Sequence, residues 1–133
     1  MATTINHTVV RTYKNQGSTA RTLSETVSGN TERNLAVQVA GTTTNHHVVI
    51  TWVQADIQSL SITSDQAITI YTNAASGSSP QDTIAIAAGQ VLIWTLATDL
   101  VARCPFSDDV TSIYITNSGS TAANIFIDSV LSI

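Results

Sequence analysis

The chain has 133 residues, of which 43% are apolar and only 11% are charged, and Ser and Thr together make up about a quarter of it. This length suits one domain with its own core, and the apolar content is too high for a disordered chain. With five Lys and Arg residues and a formal net charge of −4, the chain lacks the clustered cations with which proteins bind nucleic acid.

The N-terminal residues predict a polar hairpin, or an arm that becomes ordered against a neighbour. Residues 4–13 and 19–27 alternate in character around a turn that starts at Lys14. Residues 1–33 contain four basic and two acidic residues, whereas residues 34–133 contain one basic and seven acidic residues. Arg11, Lys14 and Arg21 are therefore candidate contacts with an acidic surface, and the acidic loops of the same domain are the alternative partner.

Six further segments have the alternation that is typical of half-buried strands: 32–39, 46–54, 57–63, 67–73, 83–87 and 90–96. Residues 46–54 are the first strongly apolar run, and we expect them to form a central strand. Ala88 and Gly89 predict a tight turn between the last two segments. Residues 97–106 suit a strand poorly and have room for one helical turn that ends at Pro105.

The C-terminal part, residues 109–133, predicts a β-hairpin, because two alternating runs flank a loop of Asn, Ser and Gly. In the first run we expect Ile113 and Ile115 to face the core and Tyr114 to face outward. In sum, nine or ten short strands predict one all-β domain over residues 1–133. We expect a single antiparallel β-sandwich, jelly-roll-like, with residues 1–30 as an N-terminal hairpin or arm.

No motif of catalysis or cofactor binding is present in the sequence. His46 and His47 are adjacent, so on a strand they face opposite sides and cannot hold one metal ion together. The aspartates fall at turns, where side-chain capping explains them, although a calcium ion held by several loops stays an alternative. Cys104 is a single cysteine, so no internal disulfide forms. We expect no enzyme activity, no cofactor and no metal.

The first residues are polar and lack the apolar segment of a signal peptide, and no apolar run is long enough to cross a bilayer. We therefore expect a protein made in the cytoplasm that has neither a membrane nor nucleic acid as its partner.

The few aromatic residues predict two different surfaces. Trp52 and Trp94 lie inside apolar runs, which favours a place in the core or at a subunit interface. Tyr71 and Tyr114 fall on the opposite strand face from their isoleucine neighbours. They are the candidate platform for a sugar ring, so a glycan- or receptor-binding module is the alternative to a structural protein.

Three segments carry a resemblance to a known family: 64–73 (SDQAITIYTN), 80–90 (PQDTIAIAAGQ) and 105–117 (PFSDDVTSIYITN), with Trp94 between the last two. Together they resemble the small capsid decoration, or cement, proteins of tailed bacteriophages, over about residues 60–133. The resemblance implies a jelly-roll-like virion protein that binds the major capsid protein as a homotrimer on the outside of the head. Arg11, Lys14, Arg21, Trp52, Trp94 and Tyr114 are then the candidate capsid or subunit contacts.

Overall fold

The computed structural model describes residues 3–13, 17, 20–96 and 103–133. These residues form ten β-strands and one short 3-10 helix, Gln54–Asp56. The strands are β1 (Ile5–Tyr13), β2 (Arg21–Gly29), β3 (Thr31–Val39), β4 (Thr43–Trp52), β5 (Ile57–Ser64), β6 (Ile68–Thr72), β7 (Thr83–Ile86), β8 (Val91–Thr95), β9 (Val110–Asn117) and β10 (Ala123–Leu131).

Eight of the strands form two antiparallel four-stranded sheets that pack face to face. One sheet has the order β3-β10-β5-β8, and we call it the arm-side sheet; the other has the order β4-β9-β6-β7, and we call it the far sheet. From β3 onward, consecutive strands change sheet at every step except between β6 and β7. This alternation of eight strands between two sheets is a jelly roll, so the prediction of an all-β sandwich is confirmed.

The core lies between the two inner faces, which receive every second side chain of each strand. Ile113 and Ile115 of β9 are fully buried there, as the alternation predicted. Removing a side chain of this size from water contributes about 1.5–3 kcal/mol. The largest fully buried side chains are Trp52, Phe106, Ile57, Leu60, Ile62, Ile70, Ile113, Ile115, Ile125, Ile127, Val39 and Val110.

The predicted C-terminal hairpin is wrong, because β9 belongs to the far sheet and β10 to the arm-side sheet. The turn at Ala88 and Gly89 likewise joins β7 and β8, which lie in different sheets. Alternation shows that a strand has one buried face, but it does not identify the strand beside it. Two successive strands that face one core from opposite sides have the same pattern as a hairpin.

The expectation that the first strongly apolar run is central is also wrong. Its strand, β4, lies at the edge of the far sheet. The inward Trp52 is fully buried, but Val49 on the other face is 78% exposed. The run is therefore apolar on both faces although only one face is covered.

β1 and β2 form a separate two-stranded antiparallel sheet, the N-terminal hairpin, which we call the arm. The arm lies over the outer face of the arm-side sheet. His7 of the arm hydrogen-bonds to Glu32 of β3, and Thr95 of β8 donates a hydrogen bond to Glu25 at 3.3 Å. Val27 of β2 is buried, and β2 contacts β10 and β5 of this sheet. The arm thus crosses this sheet from β3 toward β8. Lys14 and residues 97–102, the first part of the segment 97–106 predicted to hold a helical turn, lie outside the described residues, and residues 103–106 form no helix.

Candidate functional site

Three aromatic side chains form a row across the outer face of the far sheet. In the strand register His47 of β4 lies opposite Tyr114 of β9, and Tyr114 lies opposite Tyr71 of β6. The rings of His47 and Tyr114 are stacked, with their centroids 4.6 Å apart and their planes 10° from parallel. The structure thus brings together the two tyrosines of the predicted platform and adds a histidine. We call His47, Tyr114 and Tyr71 the aromatic row.

Small polar side chains flank the aromatic row on the same face. Thr69 lies opposite Thr116 in the register, and Thr83 lies opposite Tyr71. Because His47 and Tyr114 stack face to face, each ring covers one face of the other, and the rings and the neighbouring hydroxyl groups offer both apolar contact and hydrogen bonding. Such a surface has the chemistry to bind a sugar or a chain segment of another protein.

The sequence did not indicate the role of His47. Its pairing with Tyr114 depends on the register between β4 and β9, and that register shifts between Thr43 and His46 and between Val49 and Trp52. A pattern of residue types contains no information on such irregularities. The expectation that His46 and His47 face opposite sides agrees with the exposure of His47 and the partial burial of His46.

Both tryptophans belong to the core of the single chain. Trp52 is fully buried, and its ring packs against Phe106 with the centroids 5.3 Å apart. Trp94 of β8 is also buried. Their contact with a capsid or a second subunit stays a prediction.

The candidate contact residues do not form one site. Arg21 is exposed at the start of β2 and Arg11 is half-buried in β1, so both belong to the arm. Tyr114 lies on the outer face of the far sheet, on the other side of the core. The molecule therefore presents two separate surfaces, the arm and the aromatic row.

Two carboxylates of the acidic loops accept hydrogen bonds from backbone N–H groups of distant segments. Asp82 accepts hydrogen bonds from the backbone N–H of Ser107 at 3.1 and 3.2 Å, and Asp109 accepts one from the backbone N–H of Gln54 at 2.8 Å. These bonds join segments that are 25 and 55 residues apart in the sequence, so they hold one segment against another and are not the local turn capping that the sequence predicted for these two carboxylates. Within residues 3–13, 17, 20–96 and 103–133, no group of three or more His, Cys, Asp and Glu side chains is placed to hold a metal ion.

Among the residues that the structure describes, Asp65 and Cys104 have shifted pKa values. Asp65 accepts hydrogen bonds from the backbone N–H of Asn124 at 2.8 Å and from its side chain at 2.6 Å, and these bonds lower the pKa of Asp65. Burial raises the pKa of the Cys104 thiol, which keeps the sulfur protonated and unreactive at neutral pH. Cys104 is therefore a packed apolar residue, as its sequence context predicted.

A cleft of about 580 Å³, which we call the arm cleft, lies between the arm and the arm-side sheet. Its wall consists of residues 6–10 of β1, and Glu32, which bonds to His7 of this wall, also lines the cleft. Its floor is a row of side chains that are neighbours in the register of the four strands: Asn34, Asp128, Ser61 and Ile93.

Among the described residues, no helix is long and apolar enough to cross a membrane. No protein-family model, curated protein or solved structure matches the chain. The resemblance to phage decoration proteins therefore stays a prediction.

Proposed function

We propose that this chain is a non-enzymatic structural protein of a tailed-phage virion, a decoration protein that binds the outside of the capsid as a homotrimer and stabilises it. The observation that carries the proposal is a hairpin arm rich in cations on a jelly-roll body whose core is closed within one chain. The body needs no partner to complete its core, so the exposed side of the arm is available for assembly. The resemblance of residues 60–133 to decoration proteins supports the same function.

The composition of the arm favours a contact with another protein. Glu25 is the point at which the arm contacts β8. Nearer the start of β2, Arg21 and Leu23 are exposed, and Val10 is exposed on β1. Arginine and large apolar side chains are enriched at protein interfaces. In a trimer three arms act together, so that contacts that are weak one at a time give firm attachment to a repeating lattice.

Sedimentation of the purified protein with phage heads that lack it tests this function. We expect the wild-type chain to form a trimer and to pellet with the heads. Arg21→Glu weakens pelleting several-fold, and more so at low salt, because exposed charges are screened as salt rises. Arg103→Glu makes the same charge change on the exposed surface of the body and serves as the matched control. A stable monomer that stays in the supernatant overturns the proposal.

A second function, a glycan- or receptor-binding module of a phage tail or fibre, is favoured by the aromatic row. Stacked rings with hydroxyl neighbours suit the apolar face of a sugar. Binding on a glycan array that is lost in both Tyr71→Ala and Tyr114→Ala, with the fold retained, supports this function. If the folded wild-type chain binds no glycan on the array, this function is contradicted.

A further inference from the structure

The wall of the arm cleft is the edge of a β-strand. Five consecutive residues, 6–10, line the cleft, so side chains from both faces of β1 border it. Only the edge of a strand meets a cavity in this way, since each face contributes every second residue. Within the described part of the chain β1 pairs with β2 and with no other strand. The backbone N–H and C=O groups on its other edge therefore point toward the cleft.

The floor of the cleft has an acidic end and an apolar end. The side chain of Asp128 makes no hydrogen bond or ion pair with any residue that the structure describes, and Glu32, which bonds to His7, lies nearby on β3. At the other end Ile93 is 41% exposed. Adjacent strands lie about 4.8 Å apart, so Asp128 and Ile93, two strands apart, are separated by roughly 10 Å along the cleft.

We propose that the arm cleft binds an extended peptide segment of a partner protein as a third strand beside β1. The segment has a Lys or Arg side chain over Asp128 and a branched apolar side chain over Ile93. Side chains on one face of a strand are about 7 Å apart, and the long basic side chain spans the remaining distance. Backbone hydrogen bonds to β1 give affinity, and the two floor residues give sequence preference. This inference does not depend on the role in a phage head.

A second copy of the arm does not fit this place. Pairing of β1 with β1 of another copy about a two-fold axis puts both bodies on the same side of the joined ribbon. The floor of each cleft would then occupy the space of the other. A single extended segment has no body beneath it, and its basic side chain complements the carboxylate of Asp128.

A peptide titration tests the charge preference. The probe is acetyl-Thr-Lys-Thr-Val-Thr-Val-Thr-amide, with a control peptide in which Glu replaces Lys, and binding is followed by NMR shifts of β1 amides. We expect the Lys peptide to bind at least tenfold more tightly. Asp128→Asn removes most of that difference and Asp128→Lys reverses it, whereas Asp108→Asn, an exposed carboxylate outside the cleft, leaves it unchanged. Equal binding of the two peptides, no binding at millimolar concentration, or an equal effect of Asp108→Asn overturns the proposal.

Methylated peptides test the added strand itself. Two versions of the Lys peptide have N-methyl groups on either the odd or the even backbone amides. A strand presents alternate amides to one edge, so one version loses its hydrogen bonds to β1 and the other keeps them. We expect one version to lose binding at least tenfold and the other to lose little. Equal affinity of the two versions contradicts strand addition.

The Asp128 variants of the peptide titration keep the fold, because Asp128 is exposed, and a thermal melt of each variant checks this.

Discussion

At the scale of single residues, Trp52 connects the two sheets. It belongs to β4 of the far sheet, and its Nε1 donates a hydrogen bond to Ser129 Oγ of β10, in the arm-side sheet, at 2.9 Å. Ser129 Oγ in turn donates to the backbone carbonyl of Arg33 at 2.6 Å. One indole thus links three strands across the core. The polar atom that Trp52 buries is fully satisfied, which is the condition for burying it at low cost.

We expect Trp52→Phe to lower the free energy of unfolding by about 2–4 kcal/mol, because it leaves a cavity and removes the hydrogen bond to Ser129. Urea unfolding followed by circular dichroism measures the change. Trp94→Phe is the control, since Trp94 lies on the edge strand β8 and retains slight exposure. An equal loss in the two variants contradicts the special role of Trp52.

Asp65 makes stability depend on pH. Its hydrogen bonds from Asn124 hold its pKa in the folded protein below the ordinary value of 3.8. The stabilisation is therefore fully present above that value and is lost as the pH falls through the lower, folded pKa. We expect Asp65→Asn to be less stable than wild type by a constant amount near neutral pH. That difference shrinks below about pH 4. Denaturant titrations at several pH values measure this difference in stability between the two proteins. A difference that does not change with pH contradicts the role of the Asp65 carboxylate.

At the scale of elements, Asn117 fixes the corner where the chain passes from β9 in one sheet to β10 in the other. The residue is fully buried. Its Nδ2 donates to the backbone carbonyls of Val39 at 3.1 Å and of Thr121 at 2.8 Å, and its Oδ1 accepts from the N–H of Gly119 at 3.1 Å. At the same corner a Cβ on Gly41 would lie 2.3 Å from the carbonyl oxygen of Ser120, so only glycine allows this approach.

We expect Asn117→Ala to lower the free energy of unfolding by about 2–3 kcal/mol, because it leaves buried carbonyl groups without donors. Asn117→Asp costs more, since a carboxylate then faces those carbonyl oxygens. Chemical denaturation measures both changes. Gln38→Ala, at an exposed position of β3, is the control and changes stability by less than about 0.5 kcal/mol. A similar small effect in Asn117→Ala shows that the corner does not depend on this side chain.

The arm is attached to the body at Asn30, between β2 and β3. The side chain of Asn30 donates to the backbone carbonyl of Ile133 at 2.5 Å and accepts from its N–H at 3.0 Å. The backbone N–H of Asn30 donates to the carbonyl of Leu131 at 2.9 Å. The C-terminal residues thus hold the root of the arm, which sets the direction in which the arm leaves the body.

We expect Asn30→Ala to loosen the arm while the jelly roll stays intact. Amide hydrogen exchange in β1 and β2 rises, because the loss of the hydrogen bonds at the root weakens the packing of these strands on the body. Exchange in β5, β9 and β10 stays as in wild type. Hydrogen exchange followed by mass spectrometry measures both regions, with Gln38→Ala as the control. Unchanged exchange in the arm contradicts the role of Asn30.

At the scale of the whole molecule, the sequence was sufficient to predict the strands and their buried faces. It was insufficient to predict which strands lie side by side in a sheet. The inward positions of Ile113 and Ile115 follow from alternation alone. The separation of β9 and β10 into two sheets does not, because the corner at Asn117 depends on contacts with Val39, far away in the sequence. The aromatic row was half predictable: Tyr71 and Tyr114 follow from alternation, whereas His47 depends on the irregular register of β4.

The two sheets differ in what covers them. The outer face of the arm-side sheet is partly covered by the arm, and the outer face of the far sheet presents the aromatic row to solvent. The cations are concentrated in the N-terminal part and the carboxylates in the body. Because the arm and the aromatic row lie on opposite sides of the molecule, each is available for a different contact. In the proposed function the arm side attaches to the capsid lattice.

The measurement that tests the proposed function most directly is cryo-electron microscopy of phage heads that lack this protein, imaged after incubation with the purified chain. We expect added density on the outside of the capsid in groups of three. That density remains when Tyr71 and Tyr114 are both replaced by Ala, because attachment uses the arm side. Heads that stay bare at a saturating concentration of folded protein contradict a role as a decoration protein.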